Sequence, residues 1–112
     1  MPNHDLRQQY EAAVAALADV ALEKLLAGAD EEAVAHWAVD ARNALKQRYR
    51  ELTPAPSLER ILARTRERYG NEMGPSAHEL HACGKSWKSI IESATRAGQH
   101  DEMLFGTGAS DT

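Results

Sequence analysis

A chain of 112 residues has room for one hydrophobic core and not for two. Its single Cys excludes an intrachain disulfide and a Cys-rich metal centre. No apolar run approaches the ~20 residues of a membrane helix, and Met1-Pro2-Asn3-His4-Asp5 lacks the basic and apolar regions of a signal peptide. A soluble chain is expected, with any targeting signal elsewhere if it is part of a longer secreted protein.

The formal charge of −4 hides a strong asymmetry. Residues 1–40 carry −6, residues 41–96 carry +5 and residues 97–112 carry −3. This is not a uniformly basic nucleic-acid binder, but it permits one local phosphate-binding face. Ordinary solvated helix faces are the plainer alternative.

Helix one is predicted over residues 5–27. Leu6, Tyr10, Val14, Leu17, Ala21 and Leu25 recur at the helical period, Asn3 can cap the start and Gly28 suits the stop. The alanines between them favour helix and let another backbone approach closely. Helix two follows over residues 31–52, capped by Asp30. Val34, Trp37, Ala38, Ala41, Leu45, Tyr49 and Leu52 form its apolar stripe. The short connection makes the first two helices antiparallel neighbours. Beside the stripe, Arg42, Lys46 and Arg50 stack three cations at four-residue spacing, a mildly repulsive row unless something neutralises it.

Two prolines, Pro54 and Pro56, separate helices two and three, and Thr53 and Ala55 before them should be extended. Helix three spans residues 58–69, with Leu58, Ile61, Leu62, Thr65 and Tyr69 inward. It repeats the cation row in Arg60, Arg64 and Arg68, with Arg66 added. Gly70 closes it. Ser76 and Glu79 have the form of a capping box and open a short helix reaching residue 83. Cys83 is expected to be buried as a small apolar residue. Ser86 caps a last helix over residues 87–97, with Trp87, Ile90, Ile91 and Ala94 inward. The fold class is therefore all-α: a bundle of four to five helices, with a long antiparallel pair followed by shorter ones. One domain covers residues 1–98. Residues 99–112 form a flexible acidic, Gly-rich tail in which Met103, Leu104 and Phe105 could dock.

Three motifs in residues 78–91 bear on chemistry. His78-Glu79-Leu80-His81 spaces its histidines three apart, not the four of a zinc-binding helix, and offers no third ligand. No metal or cofactor is called for. His78 or His81 remains a candidate general acid/base for phosphodiester cleavage. Gly84-Lys85-Ser86 lacks the preceding Gly and strand of a phosphate loop. A helix-turn-helix beginning at Gly84 would need its recognition helix in the acidic tail, which could not approach phosphates.

The block Arg64-x4-Tyr69-Gly70-Asn71-x2-Gly74-Pro75-Ser76-x3-Leu80-x3-Gly84-Lys85-Ser86-Trp87-x2-Ile90-Ile91-Glu92-Ser93-Ala94-x-Arg96 resembles the C-terminal tip domains of bacterial polymorphic toxins. These are the Rhs-type and contact-dependent growth-inhibition proteins. Ala41-Arg42-Asn43-x2-Lys46 is similar to the same group, so the resemblance spans about half the chain. Met73 stands where the pattern has Leu, and His78 and His81 match nothing in it. The resemblance implies an effector delivered from the surface or secreted as part of a larger protein. It would act in the target-cell cytoplasm and be neutralised at home by a cognate immunity protein. RNA, tRNA included, is the expected substrate. Arg42, Lys46 and Arg64 would stabilise charge and Tyr69, His78, His81 or Ser86 would move protons. Arg50, Arg60, Arg68, Lys85 and Arg96 would bind the nucleic acid. The competing expectation is a non-enzymatic helical interaction module, such as an adaptor or an immunity protein.

Overall fold

The structure, a computed structural model, describes residues 3–96. Five helices follow in order: α1 (Asn3–Leu26), α2 (Glu31–Glu51), α3 (Ala55–Tyr69), α4 (Ala77–Ala82) and α5 (Trp87–Ala94). Among the described residues there is no strand. The fold is all-α, with a long α1–α2 pair and shorter helices after it.

Two apolar clusters hold the pair. Leu6, Tyr10 and Val14 from the first half of α1 meet Leu45 and Tyr49 from the second half of α2. Ala21 and Leu25 meet Val34, Ala35, Trp37 and Ala38 at the opposite ends. Early against late and late against early makes the pair antiparallel. The Tyr10 and Tyr49 rings meet edge to face, centroids 5.9 Å apart, the arrangement that ring quadrupoles favour. The second cluster continues through Val39 into Ala77, Ile90, Ile91 and Ala94, so α2 is the central helix on which α1, α4 and α5 all pack. Small residues at Ala35, Ala38, Ala77 and Ala94 permit that close approach. α3 stands further off and buries only Ile61 and Thr65.

The local signals account for most boundaries. Gly70 ends α3 with φ 82°, a left-handed conformation that glycine adopts without steric cost. The capping box forms in full: Glu79 N–H donates to Ser76 Oγ (3.1 Å) and Ser76 N–H to Glu79 Oε1 (2.8 Å). Asp30 occupies the N-cap of α2 with extended backbone, but its side chain makes no capping bond.

Five expectations need correction. α1 begins at Asn3, which is therefore inside the helix and not its cap. Ala55 is helical, because Pro56 sits in the first turn of α3, where a missing N–H breaks no helical bond. α5 stops at Ala94 and not at residue 97, with Thr95 Oγ1 donating back to Ile91 O (2.8 Å). Leu52 is 58% exposed, because α2 ends at Glu51 and Leu52 is its C-cap. Cys83 is exposed, because it caps a six-residue helix whose buried residue is Ala77. The tail, residues 99–112, lies outside the described residues, as does the docking expected of residues 103–105. Among the described residues, no helix is long and apolar enough to cross a membrane.

Candidate functional site

The buried face of α2 does not follow the apolar stripe along its whole length. Below Val39 it passes through Arg42, Lys46 and Arg50, which are 4%, 7% and 3% exposed. The cation row is thus the continuation of the core face, not a solvated edge. Arg50 is among the more deeply buried residues of the helix.

Burying charges is costly unless hydrogen bonds replace the lost water. Here main-chain carbonyls are the prominent acceptors. Arg42 Nη1 donates to Ser93 O (3.0 Å), Ala94 O (3.1 Å) and Arg96 O (3.0 Å), the open carbonyl end of α5. A cation at a helix C-terminus also meets the negative end of the helix dipole. Lys46 Nζ donates to Met73 O (3.1 Å). Arg50 Nη1 donates to Glu72 O, and its Nη2 donates to Thr65 Oγ1 (3.4 Å). Thr65 Oγ1 in turn donates to Ile61 O (2.9 Å). The loop they grip is itself folded: Asn71 Oδ1 accepts from the N–H groups of Met73 (2.9 Å) and Gly74 (2.6 Å). An Arg66–Glu72 ion pair closes it outside.

Among the described residues, neither Arg42 nor Lys46 has a carboxylate within ion-pair distance. The electrostatic result is plain at Lys46. Burial first, then the positive charges of Arg50 and Arg42, lower its pKa from the ordinary 10.5 to about 8. Burial also pushes Arg50 below its usual range, against the opposing influence of Tyr10 and Glu72.

A cleft of about 280 Å³ opens between α2, the end of α3, the loop at residues 71–75 and the α4–α5 segment. Its polar lining is Arg42, Asn43, Lys46, Tyr69, Lys85 and Ser93. Val39, Pro75, Leu80 and Ile90 give it apolar walls, and among the described residues no carboxylate-bearing one lines it. Of the residues singled out from the sequence, the fold brings Arg42, Lys46, Tyr69 and Lys85 together here.

The others lie elsewhere or are engaged. Arg64 is half-buried on α3, and Arg60 is exposed, with Nη2 3.3 Å from Ser57 Oγ. Arg68 is exposed, its guanidinium 5.7 Å from the Tyr69 ring centroid. Arg96 is exposed beyond α5, and its carbonyl serves Arg42. Ser86 Oγ accepts the Ser89 N–H (3.0 Å) and caps α5. His78 is exposed on α4. His81 stacks on Trp87 with centroids 3.7 Å apart, and its Nδ1 lies 2.9 Å from Lys85 O. His36 flanks the same indole at 5.4 Å.

Asn43 lines the cleft, and sequence reasoning, which placed it in the resembling segment, gave it no role. The available signal was its register: it lies one helical turn from both Val39 and Lys46. Comparison with protein-family models, with curated proteins and with solved structures returns no match, so the site stands on its own geometry.

Proposed function

We propose that the chain is the toxin tip of an interbacterial competition effector and that it acts on RNA through the cleft. One observation carries the reading. The two separated segments that resemble polymorphic toxin tips, residues 41–46 and 64–96, supply all of the lining of a single cationic cleft except Val39. Phosphodiester cleavage needs fixed positive charge where the phosphoryl oxygens gain charge, and a group that exchanges a proton near neutral pH. Arg42 and Lys85 fill the first role. Lys46, with a pKa of about 8, fills the second, with Tyr69 as the other proton-bearing group in the cleft. His78, His81 and Ser86 are not in its lining. In this proposal the tip is delivered as part of a larger secreted or surface protein. It acts in the target-cell cytoplasm and is silenced at home by an acidic immunity protein that covers the cleft mouth.

The test is inducible expression of the chain in a bacterial cytoplasm, with and without the product of the adjacent small reading frame, followed by electrophoresis of total RNA. Growth arrest with RNA fragmentation, relieved by the neighbour, is the expected result. Undisturbed growth with intact RNA refutes the proposal.

A second reading has its own support. Ser86 and His81 are tied into local structure, and the α2 cations donate to backbone carbonyls, as a non-enzymatic interaction module would arrange them. Harmless expression together with stable copurification of a partner would select it.

A further inference from the structure

The lining of the cleft defines more than a charge. It combines cations with apolar walls, and any occupant has to satisfy both. We infer that the cleft is built to hold one unstacked nucleotide, with its phosphate on the cations and its base against Tyr69 and the apolar walls. This deepens the functional proposal above and rests on its reading of the cleft as the working site.

Size comes first. About 280 Å³ falls just under the ~300–1,000 Å³ of pockets that enclose drug-sized molecules, so it admits one small ligand or one residue of a polymer. Charge comes second. Arg42 lines the wall at 4% exposure, and among the described residues its Nε and Nη2 are enclosed with no hydrogen-bond partner, so its charge acts on an occupant through the wall and not by those two atoms. Lys46 spends one bond on Met73 O, and Lys85 is exposed at the α4–α5 turn. An anion is the complement of this set, and a phosphate group has the most acceptor oxygens to offer it.

Shape comes third. The Tyr69 ring is half-buried and held from behind by the loop. A Cβ added at Gly74 would stand 3.6 Å from Tyr69 Cδ2, ordinary contact distance, so the glycine backbone lies against the ring. Val39, Leu80, Pro75 and Ile90 continue the apolar surface. A bare anion would leave those walls uncovered, and a carboxylate side chain has no flat apolar body to place on them. A nucleotide has both parts. A base paired in a duplex is unavailable to such a cleft, whereas a loop or strand end can splay it out. The substrate class is therefore single-stranded RNA, or a free nucleoside monophosphate carrying the same groups.

The experiment is titration of the isotopically labelled full chain, followed by nuclear magnetic resonance. The probes are the four ribonucleoside monophosphates, uridine, inorganic phosphate, a short oligouridylate and a blunt RNA duplex. The expected result is that at least one monophosphate and the oligouridylate bind competitively and shift Tyr69 and Lys85. Uridine and phosphate alone bind at least roughly ten-fold more weakly, and duplex does not displace the monophosphate. Tyr69→Ala should weaken binding by roughly ten-fold while Tyr69→Phe retains it, as stacking requires. Lys85→Glu should weaken it without disturbing the buried core. Phosphate binding as tightly as the monophosphates would reduce the cleft to an anion site and overturn the inference. So would duplex competing as well as single strand, or no probe binding at all. If Tyr69→Ala fails to fold, the ligand series on the unaltered chain and Tyr69→Phe decide. RNA fragmentation in cells without monophosphate binding would remove this inference and leave the functional proposal. Monophosphate binding without growth arrest would do the reverse.

Discussion

Replacing Lys46 by Met separates the cost of its charge from the value of its bond. The side chain keeps its length and apolar stem, and loses the ammonium. Moving the pKa of Lys46 from 10.5 to about 8 means that the charged form is disfavoured in the fold by roughly 3 kcal/mol. Met removes that penalty, but it also leaves Met73 O without its donor, a loss of roughly 1–3 kcal/mol. The two nearly cancel near neutral pH, so Lys46→Met should be as stable as the parent or slightly more so. The pH dependence is sharper. The folded pKa of this lysine is lowered, so between about 8 and 10.5 the unfolded chain binds more protons than the folded one. The contribution of Lys46 to stability therefore rises with pH through that window and is flat below it. Urea unfolding followed by far-ultraviolet circular dichroism gives the difference between parent and variant at each pH. Groups common to both proteins drop out, and the parent should gain by up to roughly 3 kcal/mol relative to the variant across the window. A flat difference would refute the argument. So would a variant destabilised by more than roughly 3 kcal/mol near neutral pH, since that exceeds any loss the bond explains.

Three further outcomes follow from the packing. Arg42→Ala should cost at least roughly 3 kcal/mol in urea unfolding, because three carbonyls at the end of α5 lose a buried charged donor. Hydrogen exchange in α5 should accelerate with it. Gly70→Ala should cost about 1–2 kcal/mol in thermal unfolding, since nothing lies within 4 Å of the added Cβ and only the left-handed backbone opposes it. Arg60→Glu, on the exposed face of α3, should change stability by no more than about 0.5 kcal/mol. That contrast with Arg42 tells a solvated cation from a buried one.

The sequence made the helices legible because their period, caps and breakers are local. Gly70, Ser76 with Glu79, and the Tyr10–Val14 spacing each act within one or two turns. What spacing alone could not reveal was the fate of the α2 cations. Arg42, Lys46 and Arg50 have the same period whether they face water or a core, and the side facing inward is set by where α5 and the loop at residues 71–75 dock. Those partners lie 22 to 54 positions away in the chain. The same blindness applied to Ser86, whose hydroxyl is spent on a cap that the sequence had also proposed, and to Asn43, which carries no charge to draw notice. Four of the twelve candidate positions, Arg42, Lys46, Tyr69 and Lys85, meet in the cleft. Arg64 belongs to the α3 row with Arg60 and Arg68, and none of the three lines the cleft.

The α2 cations hold their partners largely by the peptide group, and every residue type supplies a carbonyl. The positions gripped in this way are free to drift: Ser93 and Arg96 can change identity and still present the same oxygen to Arg42. The gripping positions have no such freedom, because few side chains have both the reach and the donors. A randomised library of this domain would therefore be lopsided, permissive along the end of α5 and strict at the α2 cations. It would let the loop's outward chemistry diversify without moving the loop.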